Sequence, residues 1–242
     1  AVISSMARRS TVSSRYQAVR RVLMEDGIDP GRIVTVRSGF IRGDFPDCAF
    51  DGRLRTELGI AADAPVVATV AALAPHKSHG VLLKAAHLVL KRHPDAVFLF
   101  AGEGETRPTI ERDIRNLGLE GSVRLLGFLP DVGAVYRSAD IFAISSSEEG
   151  LCSSILDAMF FRLPIVATNA GGIPELVHDG VNGYVVPVNE YGLLAERLSE
   201  LMGDIDLRKR MGMRSGPILE RNFIERTAMD TLAIYRDVVL KK

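Results

Sequence analysis

Five short apolar runs recur along the chain with helix-like segments between them: Val66 to Leu73, Ala96 to Ala101, Val123 to Leu126, Ile141 to Ile144 and Ile165 to Thr168. Each is almost uninterrupted by polar residues, so each reads as a strand buried on both faces rather than one alternating between core and solvent. Helices fit the intervals, as at about Gly80 to Arg92 and Pro108 to Leu117. Apolar strands alternating with helices define an α/β fold, a Rossmann-like parallel sheet with helices on both faces. Upstream, Val2 to Ser5 reads as the end of a strand, about Arg15 to Asp26 as an amphipathic helix stopped by Gly27, and Ile33 to Val36 as a short strand. Phe40 to Arg55 carries Gly43, Pro46 and Gly52 and reads as a connecting loop. The expected division is a lead-in segment over 1–55 packed on one domain over 56–242.

Composition narrows the classes. With 242 residues and 47% hydrophobic content the chain can bury a large core. Thirty Lys and Arg balance thirty Asp and Glu, so no global basic field favours nucleic acid. Two cysteines, Cys48 and Cys152, lie far apart, which points to a reducing, cytoplasmic setting rather than a disulfide framework. No apolar run reaches the roughly 18 residues of a membrane span. The basic run Arg8, Arg9, Arg15, Arg20 and Arg21 is compatible with peripheral contact to anionic lipid, though a solvated helix face is the weightier reading.

In sheets of this kind ligands bind beyond the carboxyl ends of the strands. The segments there are Ala74-Pro-His-Lys-Ser78, Gly102-Glu-Gly-Glu105, Gly127-Phe-Leu-Pro130, Ser145-Ser-Ser-Glu-Glu-Gly150 and Asn169-Ala-Gly-Gly172. Gly150 to about Arg162 reads as a helix whose first turn carries Ser153 and Ser154, and such an N-terminus suits a phosphate. Asp157 lies four residues beyond Ser153, on the same face. Ser and Glu also cap helices that bind nothing, and physics alone leaves the two readings even. Lys77 could reach a diphosphate as a point charge; a loop lysine is more often merely solvated. His76 and His79 form a His-x-x-His without further ligands, a weak metal signal, so no metal site is expected.

The ordered set of motifs is more specific. Val123-Arg-Leu-Leu-Gly-Phe-Leu-Pro-Asp131, Tyr136-Arg-Ser-Ala-Asp140, Glu149-Gly-Leu-Cys-Ser-Ser-Ile-Leu-Asp-Ala-Met159, Leu163-Pro-Ile-Val-Ala-Thr168 and Gly171-Gly-Ile-Pro-Glu-Leu-Val-His-Asp-Gly-Val-Asn-Gly183 follow one another over roughly 66–187. Together they resemble glycosyltransferase family 4. The resemblance implies the C-terminal, donor-binding half of a two-domain GT-B enzyme that moves a sugar, with retention, from a nucleoside diphosphate to an acceptor hydroxyl. It implies no cofactor beyond that donor substrate. The partners implied are the donor, an acceptor glycan or lipid, and an N-terminal acceptor domain largely absent from this chain.

Residue by residue, Lys77 matches the family lysine on the donor diphosphate. Glu149 matches the first acid of the Glu-x7-Glu motif, on the sugar hydroxyls, and these two are the catalytic candidates. Asp157 takes the place of the second acid, on the ribose. Gly102, Glu103 and Gly104 resemble the small loop beside the nucleotide and Phe128 the segment beside the base, while Gly150, Leu151, Ser153 and Ser154 complete the donor-binding set. Three departures stand out. Ala71-Ala72 replaces a common Gly-Arg, Asp157 is one methylene shorter than Glu, and Cys152 replaces a glycine. A non-catalytic nucleotide-sugar module and a nucleotide-sugar epimerase remain as alternatives. Donor turnover without acceptor would mark the epimerase, and absence of transfer by the whole protein would mark the module.

Overall fold

The computed structural model of the protein describes residues 12–14, 17–37, 39–45, 49, 52–150 and 152–240. The expected strand at Val2 to Ser5, Arg8, Arg9 and Arg15 of the basic run, Cys48 and Leu151 lie outside them.

Six parallel strands form the main sheet: β3 (Val66–Val70), β4 (Val97–Ala101), β5 (Val123–Gly127), β6 (Ile141–Ile144), β7 (Ile165–Thr168) and β8 (Gly183–Val186). Their order is β5-β4-β3-β6-β7-β8, the doubly wound order in which the chain reverses direction of growth between β3 and β6. Every residue of β4, β6 and β7 is buried, as strands covered on both faces require.

Side-chain alternation divides the core into two layers. Val66, Ala68, Phe142 and Ile144 face one side with α5 (Gly133–Arg137), α6 (Ser153–Phe160) and α9 (Gly216–Glu220). Val67, Phe98, Phe100, Ile141 and Ala143 face the other with α3 (His79–Val89), α4 (Arg107–Asn116), α7 (Tyr191–Gly203) and α8 (Ile205–Met213). On α6, Ile155, Leu156, Ala158 and Met159 are buried, and each of the larger three stabilises the fold by roughly 1.5–3 kcal/mol.

The lead-in segment is more structured than a loop. β1 (Val12–Ser14) and β2 (Ile33–Thr35) pair in parallel, with α1 (Gln17–Glu25) between them. Part of the expected Phe40 to Arg55 loop is helical: a 3-10 turn at Arg42–Asp44 and α2 (Arg53–Glu57). Five residues are too few for an apolar period to declare a helix. Phe40 and Phe45 pack into the first core layer, on Phe160 at 5.4 and 5.9 Å.

The last helix, α10 (Ile224–Leu240), is tied to this segment. Ile224 N donates to Phe40 O at 3.0 Å, and Thr227 Oγ1 donates to Arg37 O at 2.8 Å. Its outer stripe is bare: Met229, Leu232 and Tyr235 are more than half exposed. None of the described helices is long and apolar enough to cross a membrane.

Candidate active site

The reversal between β3 and β6 opens a crevice at the carboxyl ends of those strands, and the two loops that leave it carry Lys77 and Glu149. After β3 the chain makes a 3-10 turn at Pro75–Lys77, closed by Ser78 in the left-handed region at φ 51°. After β6, Ser145 and Ser147 hold that turn. The Ser145 hydroxyl lies 3.1 and 3.0 Å from the carbonyl oxygens of Lys77 and Ser78, and Ser147 N donates to His76 O at 2.8 Å. Thr168 Oγ1 donates to Ser146 O at 2.6 Å, joining β7 to the same loop.

This bracing aims Lys77 Nζ at Glu149 Oε1, with which it forms an ion pair. The side chains are 14% and 5% exposed. Ser146 Oγ donates to the same carboxylate oxygen at 3.1 Å. The Glu149 carbonyl lies flat against Gly171: a Cβ there would sit 1.6 Å from Glu149 O, at φ 51°. Only glycine fits this contact. Beside the pair is a cavity of about 660 Å³ lined by His76, Ser147, Glu148, Glu149, Gly150 and Gly171. Val19 and Val22 of α1 also line it. A second cavity of about 660 Å³ is lined by Arg37, Glu175, Arg221 and Asp230 among others and by none of the predicted site residues.

Gly102 and Gly104 have a definite structural task. Leu73 N donates to Glu103 O at 2.9 Å and Thr106 N to Leu73 O at 3.0 Å, so the loops after β3 and β4 run side by side. A Cβ on Gly102, at φ 140°, would come within 2.0 Å of Ala71 O, and one on Gly104 within 2.4 Å of Leu73 O. Glu103 turns to Arg107 at 2.6 Å. Beyond Gly127, in the left-handed region at φ 69°, Phe128 stands 78% exposed.

On the Glu149 side the helix starts at Ser153 rather than Gly150, and Glu149 itself is held against Gly171. Cys152 occupies the N-cap without capping through its side chain, so the leading amides keep the positive end of the helix dipole. The Cys152 thiol is 4% exposed in the core, and burial pushes its pKa up to about 12. It is an inert core group. Ser153 is exposed and Ser154 half-buried.

Asp157 is half-buried, and its Oδ2 accepts a hydrogen bond from Tyr136 Oη at 3.3 Å. Burial raises its pKa to about 7; the Tyr136 hydrogen bond opposes this and the Asp44 charge adds to it. The two histidines separate: His76 is exposed at the cavity, whereas His79 packs on Phe100 with its pKa lowered to about 4 by burial. Among the described residues no group of three or more His, Cys, Asp or Glu is gathered as a metal site would require.

Lys77, Glu149 and Gly150 thus meet at the crevice. Gly102, Glu103, Gly104 and Phe128 flank it on the β4–β5 side, and Ser153, Ser154 and Asp157 on α6. Sequence reading passed over Ser145, Ser146, Gly171 and Tyr136 as site residues. Gly171 and Tyr136 lie within the quoted motifs, but what they contact is not written in spacing.

Fold and crevice together define a Rossmann-like α/β domain of the kind found in GT-B glycosyltransferases. Residues 51–215 match the family model of the glycosyl transferases group 1, and the chain belongs to that family. It is 34% identical to a D-inositol 3-phosphate glycosyltransferase of Corynebacterium kroppenstedtii over 78% of this chain and 44% of the relative. It is 31% identical to an alpha-D-kanosaminyltransferase of Streptomyces kanamyceticus over 84% of this chain and 54% of the relative. The chain therefore spans about half the length of these relatives. A crystal structure of Anabaena Alr3699/HepE in complex with UDP-glucose superposes at a TM-score of 0.86 with 25% identity, covering 98% of this chain and 66% of that one.

Proposed function

We propose that this chain is the C-terminal, donor-binding half of a retaining family 4 glycosyltransferase. The reaction is transfer of a sugar from a nucleoside diphosphate to an acceptor hydroxyl. The observation that carries the reading is the Lys77–Glu149 ion pair, held where β3 and β6 diverge and opening on a 660 Å³ cavity. A nucleoside diphosphate sugar offers that pair complementary groups: phosphate oxygens for the ammonium and sugar hydroxyls for the carboxylate. Relatives support the donor class, since the Anabaena protein was crystallised with UDP-glucose.

In the reaction the bond between the anomeric carbon and the diphosphate oxygen breaks. The acceptor oxygen bonds to that carbon on the same face, and its proton passes to the departing phosphate oxygen. Charge developing on the leaving group is stabilised by Lys77 and the α6 N-terminus. Preorganised groups of this kind in a dry cleft carry much of the catalysis. Asp157 takes the ribose, while Glu103 and Phe128 flank the base. No metal enters this scheme. The acceptor, a glycan or lipid on the cytoplasmic side, is held by the N-terminal domain, which the bare stripe of α10 would meet.

Titration calorimetry with UDP, GDP, ADP and their sugar conjugates, repeated in EDTA, tests the donor site. Binding of at least one conjugate, insensitive to the chelator, is expected; no binding would overturn the reading. Holding both reactants in place can supply roughly 7–11 kcal/mol. This chain alone is therefore expected to bind donor without transferring sugar. Equal product formation by it and by a longer polypeptide bearing the acceptor half would overturn the half-enzyme reading.

A further inference from the structure

We infer that Tyr136 is a positioning residue of the donor site: its buried hydroxyl anchors one oxygen of Asp157 so that the other meets the ribose of the nucleoside diphosphate. The inference rests on the ribose role of Asp157 given above. It identifies what makes a carboxylate one methylene short of Glu competent for that role.

The Tyr136 ring is fixed. It is 1% exposed, stacked on Phe161 at 5.3 Å and 10°, tilted against Phe142 at 5.7 Å, and met edge-on by Phe45 at 6.2 Å. A ring gripped on three sides presents its hydroxyl at one point. That point is the first turn of α6, 3.3 Å from Ser154 O and 3.3 Å from Asp157 Oδ2. A phenol carries a single proton, and an ionised carboxylate is the stronger acceptor of the two.

No other hydrogen bond or ion pair holds the Asp157 side chain among the described residues. One oxygen is therefore anchored to a rigid donor, and Oδ1 is left without a partner. A vicinal diol needs such an acceptor, preset in direction. Within the electrostatics of Asp157, Tyr136 is the group that opposes protonation. Burial and the Asp44 charge favour the protonated acid, whereas the Tyr136 hydrogen bond favours the carboxylate. Tyr136 thus supports both the direction and the charge state that diol recognition needs.

Helix α5, which carries Tyr136, follows the loop of Phe128, and α6, which carries Asp157, follows the loop of Glu149. The hydrogen bond therefore joins the base side of the crevice to the sugar side.

The experiment is titration of UDP, GDP, ADP and their 2′-deoxy forms into wild type, Tyr136→Phe and Asp157→Asn. Wild type should bind the best ribonucleotide about tenfold tighter than its deoxy form, the effect of one charged hydrogen bond. In Tyr136→Phe that ratio should fall below about threefold with the deoxy affinity unchanged, and Asp157→Asn should show the same collapse. Full discrimination in a folded Tyr136→Phe would overturn the inference while leaving the donor site standing. An equal loss for both nucleotide forms would also overturn it, since a purely structural role has that effect. Should Tyr136→Phe fail to fold, Asp157→Asn keeps the phenol, and undiminished discrimination there refutes the inference by itself. Absence of any nucleoside diphosphate binding by wild type would remove the donor site and this inference together.

Discussion

Two ion pairs bracket the same neighbouring strands, β3 and β6. At their amino ends Arg55 meets Asp140 at 2.8 Å. Its remaining nitrogens donate to Ser138 O at 2.9 Å, Ala62 O at 3.1 Å and Ala64 O at 3.0 Å, while Asp140 also accepts Val66 N at 2.8 Å. At their carboxyl ends Lys77 meets Glu149, and both bonds to the carboxylate fall on Oε1. Oε2 has no partner among the described residues, and the ammonium has protons to spare. Both pairs are substantially buried and both carboxylates are met on a single oxygen, yet in one the cation is saturated by backbone carbonyls and in the other the pair opens on a cavity. Burial alone does not separate a clamp from a site. A cation with unspent hydrogen-bonding capacity beside empty space does.

The largest expected effect breaks the saturated pair. Arg55→Ala leaves Asp140 with the Val66 amide alone and strands three carbonyl groups, and removing one partner of a buried pair costs about 3–5 kcal/mol. Urea denaturation should register that loss, with nucleotide affinity of the folded fraction unchanged. A loss under about 1 kcal/mol would mean that this buried pair contributes no more than an exposed one.

Gly171→Ala comes next. The new methyl would collide with Glu149 O, and the left-handed backbone adds strain of about 1–3 kcal/mol. Gly180, at φ 70° with nothing within 4 Å of a Cβ, is the matched control. Both alanine variants should lose stability from the backbone term, and only Gly171→Ala should also lose donor affinity. Equal affinities in calorimetry would mean that the Glu149 loop is not held by this contact.

Breaking the open pair should act on binding first. Lys77→Ala removes a charged contact worth roughly 1.5–3 kcal/mol, so nucleoside diphosphate affinity should fall about tenfold or more. Its stability cost should be smaller than that of Arg55→Ala, because Glu149 can rehydrate from the cavity. An unchanged dissociation constant would remove Lys77 from the donor site.

The two ends of the sheet also differ in how far sequence discloses them. Lys77 and Glu149 stand just after runs that read as buried parallel strands, and the polarity of such strands puts them at one edge. The Arg55 clamp was hidden because Gly43, Pro46 and Gly52 announce a loop, and α2 is too short for a period. β8, with only Gly-Tyr-Val-Val, was too brief to stand out; its Gly183 packs so closely that a Cβ would meet Ile165 O at 1.9 Å. The Tyr136–Asp157 bond joins two helices through a contact that no spacing encodes.

The smallest expected effect concerns Asp157, a half-buried acid with neither a backbone cage nor a cation. Its pKa of about 7 lies above the usual carboxylate range because of burial, with Asp44 of the Arg42–Asp44 turn raising it and Tyr136 of α5 lowering it. Between about pH 4 and pH 7 the folded chain therefore binds a proton that the unfolded chain does not. Stability contributed by that proton is full below the unfolded value and is lost as pH rises through about 7. Asp157→Asn cannot ionise and should remove this slope. With its partial solvent access taken into account, it should be more stable than wild type at pH 8 by on the order of 1 kcal/mol. Nucleotide binding should run the other way. If the ribose is held by the carboxylate, UDP affinity rises from pH 6 to pH 8 in wild type and stays flat in Asp157→Asn. Parallel denaturation and calorimetry across that range separate the two effects. A stability slope that persists in Asp157→Asn would assign the proton to another group and remove Asp157 as its source.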